Sequence, residues 1–143
     1  MSEHFRKLEN MYHDGAAINK AYDPKLVVEK GKATVEIKVK PDFFHAAGSL
    51  HGSVYFKAAD DAAFFAANSL VRDEFVFTTD FHIQLIRPVK EGIIKAEGWV
   101  VQNGRNLILA DANVYNSKGK LVAKGSGNFM KSGMALTEDI GYK

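Results

Sequence analysis

The feature that most constrains this sequence is a long apolar stretch, from Gly52 to about Val71, that contains two adjacent carboxylates. It has no proline and no internal glycine, is rich in alanine and phenylalanine, and is longer than an ordinary strand. These properties predict a helix. Because the helix would be apolar over much of its circumference, we expect other structure to enclose it.

Segments with strand character lie on both sides of this helix. From Ala33 to Val39, apolar and polar residues alternate strictly, which predicts a half-buried strand. Four further strands are expected after the helix: Phe75 to Arg87, Ile93 to Gln102, Asn106 to Tyr115, and Leu121 to Met130.

The joins between the last four strands predict an antiparallel meander. Turn residues occupy Pro88 to Gly92 and Asn116 to Lys120, and Asn103-Gly104 is a strong signal for a two-residue hairpin loop. A sheet of this length covers one buried helix only by curling around it. The sequence therefore predicts an α+β fold, in which a curved antiparallel sheet of five to six strands wraps a long central helix.

The two ends of the chain receive simpler predictions. A short helix over about residues 2–14 is expected from the spacing of Phe5, Leu8 and Tyr12, and residues 132–143 are expected to form a loose tail. A chain of 143 residues has the size of one domain, so a single domain over residues 1–143 is expected.

Composition excludes several classes of protein. Cysteine is absent, which removes disulfides and thiolate chemistry and favours a reducing cytoplasm. A net charge of +2, with the lysines dispersed among acids, does not indicate a nucleic-acid groove. The longest mostly apolar run, Ala58 to Val71, is interrupted by polar residues, whereas a membrane span needs about 20 predominantly apolar ones. The mixed charges of the first residues do not resemble an export signal. We expect no metal site either, because no histidines are spaced as ligands on one element.

The two carboxylates within the apolar helix differ in their expected environment. Asp61 lies one helical turn after Lys57 and is expected to pair with it, whereas Asp60 shares its face with Phe56 and Phe64. Loss of hydration on such a face raises the pKa of a carboxyl group, which makes Asp60 a candidate base or nucleophile. The residues alone leave open a purely structural role for Asp60.

The expected start of the helix is the second candidate for chemistry. Gly52 would expose an unpaired backbone N–H there, without a side chain to block approach, and such a donor can polarise a carbonyl group. His51 is either a capping residue or a substrate contact, and the sequence does not decide between them.

The stretch from His45 to Ser69, with the order of elements around it, resembles the PaaI-like thioesterases of the hotdog superfamily. That family has an Asn, then a Gly, a His-Gly-Gly at the helix start, an acid on the helix, and a Ser or Thr on the next strand. This sequence supplies Gly48, His51 and Gly52, and it places Asp60 nine residues after His51. Thr78 stands at the strand position.

The resemblance implies roles for these residues. The N–H of Gly52 would bind the thioester oxygen, Asp60 would activate water or attack the carbonyl carbon, and Thr78 would position the water from a neighbouring subunit. His45 stands where the family commonly has Asn, and Ser53 replaces the second Gly of His-Gly-Gly. We include both with the site.

The resemblance also implies a substrate and an assembly. The substrate would be the coenzyme A thioester of a small aromatic or a short or medium-chain acid, with His51, Gly48, Ser53 and Phe64 contacting it. No further cofactor is expected. The acyl group would lie against the helix, where Phe56, Phe64 and Phe65 could line a tunnel. A homodimer is expected, assembling further to a homotetramer.

Two other functions are compatible with such a fold. One is a protein that binds acyl-coenzyme A without cleaving it, since fold alone does not fix function. The other is a hydratase or dehydratase that uses His45 or His51 together with Asp60, although the loop motif of the dehydratases is not found here.

Overall fold

The computed structural model describes residues 2–143. The helical segments are α1 (Ser2–Asn10), a π-helical turn (Met11–Gly15), α2 (Asn19–Tyr22), a 3₁₀ turn (Pro41–Phe43), α3 (Gly52–Asn68) and a second 3₁₀ turn (Glu138–Ile140). The strands are β1 (Lys25–Glu29), β2 (Lys32–Lys38), β3 (Glu74–Leu85), β4 (Ile93–Asn103), β5 (Ile108–Tyr115) and β6 (Leu121–Ala135).

Six strands form one antiparallel sheet in the order β1-β2-β4-β5-β6-β3, and α3 packs against its inner face. The predicted α+β architecture is therefore confirmed, including the number of strands. β1 was not predicted. Its alternation of buried and exposed residues covers only five residues, which is too short a signal beside the neighbouring polar turns.

The predicted four-stranded meander is wrong for its first strand. β4, β5 and β6 follow one another as expected, but β3 pairs with β6 at the far edge of the sheet. After β3 the chain does not turn back, because the N–H groups of Ile86 and Arg87 both donate to the carbonyl of Val122. The segment containing Pro88 then crosses to β4 and meets the loop before α3, where Leu50 N–H donates to Val89 O.

The hairpin predicted at Asn103-Gly104 is present, with a longer loop. Asn103 still belongs to β4 and pairs with Ile108, so residues 104–107 form the loop. The N–H of Gly104 donates to the carbonyl of Leu107 and closes the turn. The Asn103-Gly104 dipeptide correctly predicted where the chain reverses between β4 and β5. Asn103 itself is not part of the loop, because it pairs with Ile108 in the sheet.

Small residues allow α3 to lie directly on the sheet. Ala58, Ala62 and Ala66 are fully buried on the helix. On the sheet, a Cβ atom at Gly98 would lie 2.4 Å from the carbonyl carbon of Ala62, so only glycine permits this approach. The close contact holds the helix in one position, and with it the side chains that the helix carries.

Both ends of the chain pack against the body of the protein. The predicted N-terminal helix is confirmed as α1, with Leu8 fully buried, and it continues into the π-helical turn. The expectation of a loose tail over residues 132–143 is wrong. β6 continues to Ala135, and the Tyr142 hydroxyl donates a 2.7 Å hydrogen bond to Nδ1 of His4. No helix within residues 2–143 is long and apolar enough to cross a membrane.

Candidate active site

Asp60 lies in the middle of α3 and meets Thr78 on β3. The Thr78 hydroxyl donates to Oδ1 of Asp60 at 2.9 Å, and both side chains are partly buried. Burial raises the pKa of Asp60, and so does the nearby charge of Asp61, while the Thr78 hydrogen bond and the Lys57 charge lower it; together they give a pKa of about 6. Asp60 is thus a carboxylate of increased basicity, ionised at neutral pH.

Asp61 has a different set of partners, all of which lie on its Oδ2 atom. Lys57 donates to this oxygen at 2.8 Å, and the Tyr12 hydroxyl donates to it at 2.7 Å. The predicted pairing of Lys57 with Asp61 is confirmed. No local pattern indicates this role for Tyr12, because its spacing with Leu8 indicates only an apolar helix face.

A cavity of about 380 Å³ opens beside Asp60 and Thr78. Its polar residues near Asp60 are Tyr12, Lys57 and Asp61, and most of the remaining wall is apolar. The apolar wall is built by α3, β3 and both ends of the chain: Met11, Ala16, Ile18, Phe64, Phe65, Phe75, Met134 and Ile140. The apolar wall of this cavity therefore lies directly beside a carboxylate of increased basicity.

Of the three phenylalanines expected to line a tunnel, two line this cavity and one does not. Phe64 and Phe65 line it, and their rings make an edge contact with centroids 4.9 Å apart. Phe56 does not line it; this side chain is 37% exposed and its ring meets Phe81. The expectation of a tunnel lined by all three rings is wrong for Phe56, which lies about two turns nearer the helix start.

The start of α3 exposes a free backbone donor. His51 is the capping residue, because its Nδ1 accepts the N–H of Ser53 at 3.0 Å and bonds the Ser53 hydroxyl at 2.8 Å. Val54 N–H is taken up by the His51 carbonyl. Within residues 2–143, the N–H of Gly52 has no acceptor. The structure thus shows His51 as a cap and leaves Gly52 as the available donor.

The loop before the helix brings His45 and Gly48 to the same end of the protein. The His45 ring accepts the N–H of Ala47 and bonds the hydroxyl of Ser49, each at 3.1 Å. Gly48 has a φ of +82°, a left-handed conformation that favours glycine, and its N–H donates to the His45 carbonyl. His45 and Gly52 line a second cavity, of about 270 Å³, with Leu85 and Arg87.

The candidate residues therefore form two groups within one chain. Gly52 and Asp60 are eight residues apart on α3, which corresponds to about 12 Å along the helix axis. They also open onto different cavities. The resemblance implied that Thr78 would act from a neighbouring subunit, but Thr78 contacts Asp60 of its own chain, because β3 runs back along α3. Asp60 and Thr78 therefore belong to one group, and Gly52 belongs to the other.

Side chains that could hold a metal ion are not clustered in the described part of the chain. Within residues 2–143 there is no group of three or more His, Cys, Asp or Glu side chains in a suitable arrangement. Besides the carboxylate of Asp61, the polar groups near Asp60 include a hydroxyl, a phenol and an ammonium, which act here as hydrogen-bond donors.

Comparison with known proteins identifies relatives of this chain. A model of the thioesterase superfamily matches residues 47–123, which include α3, β3, β4 and β5. A 1,4-dihydroxy-2-naphthoyl-CoA hydrolase of Listeria monocytogenes is 29% identical over 96 residues, covering 66% of this chain and 78% of that protein. A Saccharolobus solfataricus protein, provisionally named an esterase, is 29% identical over 130 residues, covering 90% and 93% respectively.

Solved structures show the same fold. The E. coli PaaI protein, from the phenylacetic acid degradation operon, has a TM-score of 0.85 at 25% identity and covers 95% of this chain and 98% of its own. A thioesterase of Haemophilus influenzae has a TM-score of 0.76 at 18% identity, covering 85% of each chain. The hotdog fold and the resemblance to PaaI-like proteins are thereby confirmed.

Proposed function

This chain belongs to the thioesterase superfamily and is a thioester hydrolase, and we propose that it cleaves acyl-coenzyme A esters with Asp60 as base or nucleophile. The observation that carries this proposal is the position of Asp60. Burial and the charge of Asp61 raise the pKa of this carboxyl to about 6, and the group lies at the wall of an apolar cavity with Thr78 hydrogen-bonded to it. A base of this strength is ionised at neutral pH and still accepts a proton readily.

The reaction would proceed by attack on the thioester carbonyl carbon. Asp60 either takes a proton from the attacking water or attacks the carbon itself, forming an anhydride that water then cleaves. The N–H of Gly52 donates to the oxygen on which negative charge develops. The carbon–sulfur bond breaks, coenzyme A leaves as the thiolate and takes up a proton, and the carboxylic acid is released.

One active site would need residues from two chains. The separation of about 12 Å between Gly52 and Asp60 along α3 is too large for both to contact one carbonyl group. In a symmetric dimer, Gly52 of one chain would meet Asp60 and Thr78 of the other, giving two identical sites. β3 is an edge strand of the sheet, so it is available for such an interface. We therefore propose a homodimer, and a homotetramer built from it.

The acyl group would occupy the apolar cavity beside Asp60. Its volume of about 380 Å³ exceeds the approximately 150 Å³ of an engineered cavity that binds benzene in another protein. A small aromatic group or a short to medium acyl chain therefore fits, with Phe64 against it. One relative is named for the coenzyme A ester of a naphthoic acid, which agrees with an aromatic substrate.

The residues at the helix start would serve the other end of the substrate. His45 lines the second cavity beside Gly52, near the expected leaving sulfur, while Gly48 shapes the loop. His51 and Ser53 hold the first turn of α3, so their effect on catalysis would be exerted through Gly52. Arg87, on the same cavity, supplies a positive charge for the coenzyme A phosphates.

The geometry does not favour a hydratase. That chemistry would require a histidine acting together with Asp60. The ring nitrogens of His45 are occupied within their own loop, and His51 caps the helix through Nδ1.

The first experiment is thiol release from a panel of acyl-coenzyme A esters at pH 8. Asp60→Asn should lose activity, while Asp61→Asn, the matched substitution at the next residue, should retain it. Loss of activity in Asp61→Asn alone would contradict the assignment. If the wild type binds esters tightly but cleaves none, the hydrolase proposal fails and a binding function replaces it.

A mixing experiment tests whether two chains share the site. Gly52→Pro removes the N–H donor, and proline suits this position because His51 already has the extended φ and ψ of −65° and 143°. Gly52→Pro and Asp60→Asn should each be inactive alone. Random reassociation should give about half heterodimers, each with one intact site, and so about a quarter of wild-type activity. No recovery, with heterodimers shown to form, would place the whole site in one chain.

A further inference from the structure

Asp61 is fixed in place by two donors from different parts of the chain. Lys57, one turn earlier on α3, and Tyr12, in the π-helical turn, both donate to Oδ2, at 2.8 Å and 2.7 Å. The side chains of Lys57 and Asp61 are only 11% and 19% exposed. An ion pair with so little exposure is screened far less by salt than a surface pair.

Aromatic rings enclose the remaining side of the Lys57 ammonium group. It lies 5.5 Å from the ring centre of Tyr12 and 5.1 Å from that of Tyr22, within the range of cation–π contacts. Burial raises the pKa of the Tyr12 hydroxyl well above its usual value, and the charge of Asp61 adds to this, so Tyr12 remains a donor. Lys57, Tyr12 and Asp61 therefore form a closed cluster beside Asp60.

This cluster contains the charged groups that act on Asp60. Among the described residues that line the cavity, the titratable ones are Tyr12, Lys57, Asp60 and Asp61. The other contact of Asp60, from β3, is the neutral hydroxyl of Thr78. After burial, the charge of Asp61 contributes most to the raised pKa of Asp60, and the charge of Lys57 opposes it more weakly.

We infer that Asp61, held by Lys57 and Tyr12, is a positioning residue that sets the ionisation of Asp60 and so the pH range in which this hydrolase works. The inference rests on the proposed function for its catalytic consequence. Without Asp61, Asp60 would be a weaker base. Without Lys57, Asp60 would remain protonated to higher pH. The two neighbours thus act on Asp60 in opposite directions, which a purely structural cluster would not do.

The test measures the titration of Asp60 directly and through activity. Protein containing aspartate labelled with ¹³C at the side-chain carboxyl is titrated by NMR, and Asp60→Asn identifies the signal. In parallel, kcat/KM is measured against pH with one acyl-coenzyme A ester. In Asp61→Asn, both midpoints should move down by about one pH unit. In Lys57→Met they should move up, and in Lys57→Arg, which keeps the charge, they should remain near the wild type.

Equal midpoints in all four proteins would overturn the inference and reduce the cluster to a packing contact. A shift in the same direction for Asp61→Asn and Lys57→Met would do so too, because it would reflect loosening of the site. Failure of the proposed function is recognised separately, since the wild type would then cleave no ester. The NMR titration would in that case still show whether Asp61 controls Asp60.

Discussion

The hydroxyl of Thr78 donates a 2.9 Å hydrogen bond to Oδ1 of Asp60, joining β3 to the centre of α3 within one chain. A donor to an ionised carboxylate stabilises the charged form, and this bond lowers the pKa of Asp60 against the larger effect of burial. It also leaves Asp60 oriented towards the cavity. Thr78 therefore affects both how basic Asp60 is and where its oxygens lie.

Replacing Thr78 with valine should lower kcat and move the acid limb of kcat/KM to higher pH. Valine has nearly the same shape but lacks the donor, and a hydrogen bond to a charged group is worth about 1.5–3 kcal/mol, or roughly a 10- to 100-fold change in rate. Thr78→Ser keeps the hydroxyl and serves as the control. A pH profile measured with both variants would refute this role if valine and serine behaved alike.

The different environments of the two adjacent acids could be predicted from the sequence, because helical periodicity alone separates their faces. Asp61 falls one turn from Lys57, whereas Asp60 falls on the apolar face, and the structure has both as expected. Local pattern also located α3 and five of the six strands. Local pattern predicts contacts between residues three or four positions apart, because such residues are neighbours on a helix.

Contacts between distant parts of the chain could not be predicted in this way. Tyr12 reaches Asp61 across 49 residues of sequence, and no local spacing indicates that pairing. The pairing of β3 with β6 instead of β4 likewise depends on where the whole sheet closes. The tail was underestimated for the same reason: Tyr142 is ordered by His4 at the opposite end of the chain.

The oxyanion role of Gly52 can be tested with a matched pair of substitutions. A Cβ atom at this position would lie 2.9 Å from Cδ1 of Leu85, a side-chain end that can move. Gly52→Ala adds this atom and keeps the N–H, while Gly52→Pro adds it and removes the N–H. Loss of one oxyanion donor should lower kcat by about 10²–10³-fold in the proline variant relative to alanine. Steady-state kinetics giving equal kcat for both would exclude the N–H as the donor.

Filling the apolar cavity should change which acyl groups are accepted. Ala16 lines the cavity, whereas the exposed Ala17 beside it does not. Ala16→Phe should reduce kcat/KM for octanoyl-coenzyme A by at least about tenfold and leave acetyl-coenzyme A nearly unchanged, because each buried methylene contributes about 0.8 kcal/mol. Ala17→Phe is the control and should show neither effect. An unchanged ratio of the two esters in Ala16→Phe would place the acyl group elsewhere.

Asp60 should make the wild type less stable as pH rises. Its pKa is 3.8 in the unfolded chain and about 6 in the folded protein, so the folded state binds more protons between these values. Stability contributed by this group is therefore present below about pH 4 and lost as pH rises through about 6. A difference of this size corresponds to about 3 kcal/mol.

At pH 8, Asp60→Asn should consequently unfold at a higher urea concentration than the wild type, and its free energy of unfolding should be greater by up to about 3 kcal/mol. Near pH 4 the two proteins should differ little. The asparagine is uncharged at both pH values and still accepts the Thr78 hydrogen bond. Asp61→Asn should have the opposite effect at pH 8, because it leaves the buried Lys57 ammonium without its partner. Urea unfolding at fixed protein concentration compares the three proteins. Equal gains in stability from both substitutions would mean that Asp60 is not the carboxylate whose buried charge destabilises the folded protein.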